Sequence, residues 1–258
     1  MNKITRLLGR EKGNTKINKN AVPTAYLALA PHTVSGYNVC PMATEGCSNS
    51  CVAYTGLAGI YKFIMERRIE KTRFFFEHRR SFLAMLRKEL AQFDKYCENK
   101  GIVGRCRLNT FSDINWGRII NLSGYKHIRF YDYTKVIKYA FDSLKPNSNY
   151  NVIYSFNEWS DMAECRKLIE KGGSVAVVFG DVEYQPARHK IGNLPEYWNG
   201  IPVIDGDSTD DRYNDRGVIV GLRLKGNKAI RKNAIKTGFA QKSNMVEITI
   251  NRKELVGI

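Results

Sequence analysis

Three cysteines, Cys40, Cys47 and Cys51, fall within twelve residues of one another in a segment rich in Gly, Ser and Asn. Their C-x6-C-x3-C spacing places three thiols in one loop, where they could wrap a metal ion or a cluster. A structural zinc site takes four protein ligands and commonly uses C-x2-C pairs, which this segment lacks. Three cysteines instead suit a 4Fe–4S cluster in which one iron stays open to an exogenous ligand.

Other interpretations of the cysteine segment stay open. A fourth protein ligand could close the site, and the candidates are His32, Cys106 and Cys165. The segment could also hold zinc, or its thiols could be unliganded, since cysteine is among the residues most often buried. Disulfides are not expected, because the N-terminal residues show no signal-peptide core and the chain is predicted to be cytoplasmic.

Polar residues follow the predicted strands and form the second group that could do chemistry. In a barrel enzyme the carboxyl ends of the strands build the active site. On this basis Asp113, Asp132, Lys135 and Glu158 are predicted to be catalytic, and Asn157, Asp205 and Asp207 to bind a cofactor. The alternative is a helix N-cap, the usual role of a single carboxylate after a strand.

The elements that must position these residues alternate along the chain. Strand-like runs begin at intervals of 23 to 26 residues. They cover Arg105–Asn109, Ile128–Tyr133, Val152–Phe156, Val175–Phe179 and Ile201–Ile204, with others at Tyr26–Ala30 and Gly217–Leu224. Helical periodicity lies between them, as in Thr134–Leu144 and Asp161–Lys171, and the stretch Ile60–Lys100 is long enough for two helices. This alternation predicts an α/β fold: a full or partial, TIM-like (β/α) barrel of about six units with the cysteine loop after the first strand.

The charge balance points to a polyanionic partner. Lys and Arg total 41 against 25 Asp and Glu, a formal net charge of +16, which favours nucleic acid or a nucleotide. Residues 1–20 are predicted to be a basic N-terminal arm and residues 21–258 a single domain, with a second basic stretch at Arg67–Arg80. No apolar run approaches the roughly 18 residues of a membrane span, so no membrane partner is expected. Without GxxxxGK[ST], or GxGxxG after a strand, the sequence does not indicate a P-loop NTPase or a dinucleotide dehydrogenase.

Two family resemblances sharpen these expectations. A cysteine loop after the first strand of a (β/α) barrel resembles the radical S-adenosylmethionine superfamily, although the usual spacing there is C-x3-C-x2-C. That resemblance implies a cluster whose open iron binds S-adenosylmethionine. The segments Leu29–Gly36, Cys40–Cys51 and Leu108–Asp113 resemble more closely the phage-encoded gene product eighty-eight family. This likeness implies a phage or mobile-element origin.

The sequence therefore predicts a phage-type iron–sulfur protein, a radical S-adenosylmethionine-like enzyme acting on a nucleotide or nucleic acid. One alternative is a non-catalytic nucleic-acid-binding protein with a structural iron–sulfur cluster. Another is a cluster-independent barrel enzyme of base modification, transglycosylase-like, with a rim aspartate as nucleophile.

Overall fold

A computed structural model describes residues 4–10, 17–55, 61–180 and 194–242 of the chain. These residues form a mixed α/β fold around one sheet, as the alternating sequence pattern predicts. The ten strands are β1 (Leu8–Gly9), β2 (Thr24–Leu27), β3 (Gly104–Arg107), β4 (Ile128–Thr134), β5 (Tyr150–Ser155), β6 (Val175–Phe179), β7 (Tyr197–Trp198), β8 (Ile201–Asp205), β9 (Ile219–Arg223) and β10 (Ala240–Gln241). The sequence after Phe179 is irregular, with Pro186, Gly192 and Pro195, and predicts a lid or an insertion; most of this stretch lies outside the described residues.

The strands form an open, mostly parallel sheet in the order β1-β2-β3-β4-β5-β6-β9-β8-β7, with β10 beside β6. Within the described part of the chain, the antiparallel pairs are β1–β2 and β7–β8, and β1 and β7 are the two ends of the strand order. The sheet is therefore open, and of the predicted full or partial barrel the full, closed form is wrong.

Six α-helices accompany the sheet in the described ranges: α1 (Glu45–Asn49), α2 (Lys62–Glu77), α3 (Arg79–Asn99), α4 (Ile137–Ser143), α5 (Met162–Glu170) and α6 (Lys228–Thr237). The two helices predicted between residues 60 and 100 are confirmed, with the break at His78. Residues one turn apart on α3, among them Phe82, Leu86 and Leu90, are fully buried against the sheet. Such a stripe is what anchors a long helix with charged outer positions. No described helix combines the length and apolar character needed to cross a bilayer.

The two faces of the sheet differ in what covers them. One face packs on the helices, where Cys106 and Phe130 meet α3. The other, here called the inner face, carries Tyr131, Tyr133 and Ile153 on β4 and β5. The connection between β8 and β9 lies against the inner face, and its Asp210 is 1% exposed. A polar connection can lie there because its Asp210 carboxylate accepts hydrogen bonds from Arg107 on β3 and Tyr131 on β4, and its Arg212 backbone carbonyl accepts one from Asn151 on β5.

Part of the predicted N-terminal arm belongs to the folded domain. Leu7 and Leu8 are buried, and β1 pairs with β2. The Glu89 carboxylate on α3 accepts hydrogen bonds from the Leu7 and Leu8 backbone N–H groups, both at 2.8 Å. The described part of residues 1–20 is therefore not a free basic arm, because the burial of Leu7 and Leu8 and the pairing of β1 with β2 attach it to the domain. Residues 1–3 and 11–16 lie outside the described ranges.

Candidate metal centre

The cysteine segment is held by a short helix. Helix α1 begins after Thr44, whose side-chain oxygen accepts a hydrogen bond from the Cys47 backbone N–H at 3.1 Å. Cys40 precedes this helix, Cys47 lies within it and Cys51 follows its end. All three thiols are free and partly exposed, and they line one cavity of about 370 Å³. That volume lies within the range of small-ligand and cofactor pockets.

The cavity lies at the carboxyl-terminal edge of the parallel strands, as the sequence predicts. Residues at the ends of β3, β4, β5, β6 and β9 form its walls. The structure therefore brings the cysteine loop and the strand ends to the same place. Of the seven polar residues predicted to be functional, three line this cavity: Asp113, Lys135 and Asp207.

Burial dominates the electrostatics of the thiols. It raises the pKa of Cys40 to about 12 and that of Cys51 to about 11, and the neighbouring cysteines add to both shifts. Burial also raises the pKa of Cys47, while the nearby Lys135 ammonium lowers it. Metal binding at these thiols would therefore displace protons, since thiolates are the binding form.

Lys135 is the buried cation beside the cysteines. Its Nζ donates hydrogen bonds to the Ser155 carbonyl at 3.0 Å, the Ser155 hydroxyl at 2.8 Å and the Phe156 carbonyl at 3.1 Å. Burial lowers its pKa, and the Cys47, Asp113 and Glu158 groups raise it. Three acceptors thus surround Nζ and hold the Lys135 side chain at this end of the cavity.

Asp113 positions the loop between β3 and β4. Its carboxylate accepts hydrogen bonds from the Thr134 hydroxyl and the Lys135 backbone N–H, both at 2.7 Å. Its own N–H donates to the Val39 carbonyl at 2.8 Å, next to Cys40. The residue ties the cysteine segment to the end of β4, and burial raises its pKa.

Glu158 acts on the cysteine helix from the end of β5. Its Oε1 accepts a hydrogen bond from the Gly46 N–H at 2.8 Å, in the first turn of α1, where a carboxylate is stabilising. Its Oε2 is buried with no hydrogen-bond partner among the described residues. A Cβ at Gly46 would lie 2.7 Å from Glu158 Oε1 and 2.4 Å from Thr237 Oγ1, so only glycine allows this approach.

Asp132 lies inside β4 and is fully buried, away from the cavity wall. It accepts hydrogen bonds from the Asn109 N–H at 2.6 Å and the Tyr150 hydroxyl at 2.9 Å. The Asn109 side-chain oxygen in turn accepts from the Ile114 N–H at 3.0 Å and Trp116 Nε1 at 3.1 Å. The structure therefore places Asp132 beneath the loop that forms one cavity wall.

Asn157 and Asp205 also lie off the cavity wall. The Asn157 side chain accepts a hydrogen bond from the Trp159 N–H at 2.9 Å and so shapes its own turn. Asp205 accepts from Arg223 Nη1 and the Asp207 N–H, both at 2.8 Å. Asp207, which does line the cavity, accepts from Lys225 Nζ at 3.0 Å.

The three candidates for a fourth ligand are placed elsewhere or already engaged. Cys106 is buried on the helix side of β3, and Cys165 is buried on α5 among core residues. Both ring nitrogens of His32 have partners: Nε2 lies 2.7 Å from the Tyr54 hydroxyl and Nδ1 3.3 Å from the Thr33 hydroxyl.

The three thiols line one cavity without forming a site for a single metal ion. No three His, Cys, Asp or Glu side chains in the described ranges converge on a point where one metal ion could be bound. In a 4Fe–4S cluster each cysteine binds a different iron, so its ligands need not meet at one atom. Cys40, Cys47 and Cys51 all line the cavity, and none of the three predicted fourth ligands does.

Sequence reasoning missed the residues at the inner end of the cavity. Arg107, Tyr133 and Asp210 line it, and Arg107 Nη1 donates to both Asp210 carboxylate oxygens at 3.0 and 3.1 Å. The sequence of β3 does indicate a polar environment there. Arg105 and Arg107 occupy alternate positions of a strand in a parallel sheet, where apolar residues are expected on both faces.

The basic stretch Arg67–Arg80 runs from α2 into the start of α3 and is partly used within the fold. The Arg68 guanidinium lies 4.0 Å from the centre of the Phe111 ring, and Lys71 Nζ donates to the Leu7 carbonyl at 2.7 Å. The exposed arginines of this stretch are Arg67, Arg73, Arg79 and Arg80. The surface available to a phosphate backbone is therefore smaller than the sequence indicates.

A family model described as Gene product 88 matches residues 3–243 of the chain. The chain belongs to this family. The family resemblance predicted from the segments Leu29–Gly36, Cys40–Cys51 and Leu108–Asp113 is thereby confirmed. No curated protein and no solved structure matches it.

Proposed function

We propose that Cys40, Cys47 and Cys51 of this Gene product 88 protein hold a 4Fe–4S cluster in the 370 Å³ cavity. The observation that supports this most is the meeting of three free cysteines on one cavity wall at the carboxyl-terminal edge of the sheet. His32, Cys106 and Cys165 do not line this cavity, so the three cysteines would hold the cluster and leave one iron available to an exogenous ligand.

We further propose that the protein is a radical S-adenosylmethionine-like enzyme acting on a nucleotide or nucleic acid. The bound cluster would supply electron transfer to a ligand on its open iron. The sheet then corresponds to an opened, partial (β/α) barrel, and its strand ends provide the walls against which cofactor and substrate are positioned. The six free cysteines fit the reducing cytoplasm of a host cell.

The chain's own residues would prepare this cavity in three ways. Lys135 places a buried positive charge beside the cluster, which would lower the energy of its thiolate ligands. Asp113 and Glu158 hold the cysteine segment against β4 and β5 through backbone N–H groups. Phe239 closes the wall near Lys135, whose Nζ lies 4.9 Å from the ring centre.

The test is anaerobic purification followed by iron and sulfide analysis. We expect about four of each per chain, and loss of both when any of Cys40, Cys47 or Cys51 is changed to Ala. The matched control is Cys165→Ala, a buried cysteine on α5 outside the cavity, which should retain the metal. Colourless protein with stoichiometric zinc would contradict the cluster, and metal loss in the control would indicate a different ligand set.

Electron paramagnetic resonance of the reduced protein separates the enzyme from a purely structural cluster. We expect the spectrum to change when S-adenosylmethionine is added, because the open iron gains a ligand. An iron-loaded protein whose spectrum is unaffected by S-adenosylmethionine would contradict the enzyme proposal while leaving the cluster in place.

A further inference from the structure

Four polar atoms on residues that line the cavity are buried without a hydrogen-bond partner among the described residues. They are Ser50 Oγ, Arg107 Nε, Thr110 Oγ1 and Tyr133 OH. Leaving one such atom unpaired costs on the order of 1–3 kcal/mol, and native proteins keep few of them. Four on the lining of a single cavity point to a ligand that supplies missing partners.

Arg107, Thr110 and Tyr133 are neighbours at the ends of β3 and β4. The Arg107 guanidinium lies 4.7 Å from the centre of the Tyr133 ring. Its Nη2 donates to the Thr110 carbonyl at 3.5 Å. We call these three side chains the unpaired patch. All three residues line the cavity, so a small molecule bound at this end would lie beside the whole patch.

The charge of the unpaired patch disfavours an anion. Arg107 is already paired with both oxygens of Asp210, which is 1% exposed and also accepts a hydrogen bond from the Tyr131 hydroxyl at 2.9 Å. A phosphate or carboxylate at this patch would meet the Asp210 charge as well as the Arg107 charge. A neutral ligand avoids that repulsion.

The hydrogen-bonding groups indicate which neutral ligand fits. Arg107 Nε is a donor only, whereas the Thr110 and Tyr133 hydroxyls each donate and accept. The surrounding walls are apolar, with Val178, Leu222 and Phe239 among their residues. A planar heterocycle with donors and acceptors along one edge matches this combination, and enzymes that act on an extruded base read it in the same way.

We infer that the unpaired patch binds the hydrogen-bonding edge of a nucleobase. This inference rests on the proposed function, because the nucleobase would belong to the substrate that the same cavity binds. The patch is separate from the cysteines, so base binding and cluster binding can be measured independently. The base would lie against the apolar walls, with its polar edge toward Arg107, Thr110 and Tyr133.

The experiment titrates adenosine, guanosine, cytidine, uridine and inorganic phosphate into the full-length protein by calorimetry, with iron content measured on the same sample. At least one nucleoside should bind, and phosphate alone should not. Tyr133→Phe removes only the hydroxyl and keeps the ring beside Arg107, so we expect affinity to fall about tenfold. Thr110→Val should act in the same direction. Neither variant should lose stability, because each removes an unpaired buried polar atom.

Tyr154→Phe is the matched control. Its hydroxyl lies 2.8 Å from the Ser160 hydroxyl, and the Tyr154 side chain packs with the helix-side core, so the variant should lower stability and leave affinity unchanged. Phosphate binding without nucleoside binding, or equal affinity in Tyr133→Phe, would overturn the inference. If the iron-loaded protein binds no nucleoside, the base-binding inference is refuted and the cluster proposal is unaffected. If the anaerobically purified protein contains no iron but binds a nucleoside, the cluster proposal is refuted and the base-binding inference is supported.

Discussion

Asp132 couples the stability of the sheet to pH. The residue is 0% exposed, and within the described ranges the Asn109 N–H and the Tyr150 hydroxyl donate to its carboxylate. Burial raises its pKa from the ordinary 3.8 to about 7, and these two hydrogen bonds offset part of that shift. Protonated Asp132 is therefore favoured in the folded protein up to neutral pH.

The sign and size of the effect follow from proton linkage. Below about pH 4 the carboxyl is protonated in both states and contributes no pH dependence. Between about pH 4 and pH 7 the folded state holds a proton that the unfolded state has released, so the free energy of unfolding falls as pH rises. At about 1.4 kcal/mol per pKa unit, the total loss is roughly 4 kcal/mol.

Urea unfolding of the wild type and Asp132→Asn at several values between pH 4 and pH 8 measures this term. The difference in unfolding free energy, wild type minus variant, should fall by roughly 4 kcal/mol across the range and level off above pH 7. Tyr150→Phe removes a donor to the ionised carboxylate, so the fall should extend to higher pH. A wild-type-minus-Asn difference that is flat with pH would refute the assigned protonation.

Two further predictions concern the cysteine helix and the charged surface. Gly46→Ala should lower the unfolding free energy by about 1–3 kcal/mol and reduce iron content, because its Cβ would overlap Thr237 and Glu158; full iron loading with unchanged stability would contradict this packing. Binding of single-stranded DNA should weaken linearly in log salt, and reversing exposed Arg67 and Arg80 to Glu should lower the slope by about 0.7 for each phosphate that is no longer neutralised. Reversal of exposed Lys95 on α3 is the control, and an equal effect there would indicate nonspecific attraction.

The regular elements could be predicted because their patterns are local. The predicted strand Val175–Phe179 matches β6 residue for residue, and the helix predicted at Asp161–Lys171 is observed as α5 with Asp161 as its N-cap. Apolar runs and capping residues carry this information within a few positions. Closure of the sheet depends instead on its edge strands, and the two-residue strands β1 and β7 leave almost no pattern in the sequence.

The site was predictable in its cysteines and only partly in its other residues. Asp132 and Glu158 follow the pattern of functional polar residues, yet one is buried beneath a loop and the other accepts a hydrogen bond from the cysteine helix. The sequence does not distinguish a carboxylate that faces a ligand from one that faces a backbone N–H. Asp210 was missed for a related reason, because its partners on β3 and β4 lie 103 and 79 residues away along the chain.

The packing of helix α1 against helix α6 has a consequence for the order in which the protein matures. Gly46, at the cysteine helix, lies against Thr237 and Phe239, which the ribosome delivers long after it. Contacts between distant segments must wait until the later one has been synthesised. The cysteine loop is therefore translated well before the segment that packs on its helix. A nascent chain that ends before α6 would leave Gly46 without these contacts.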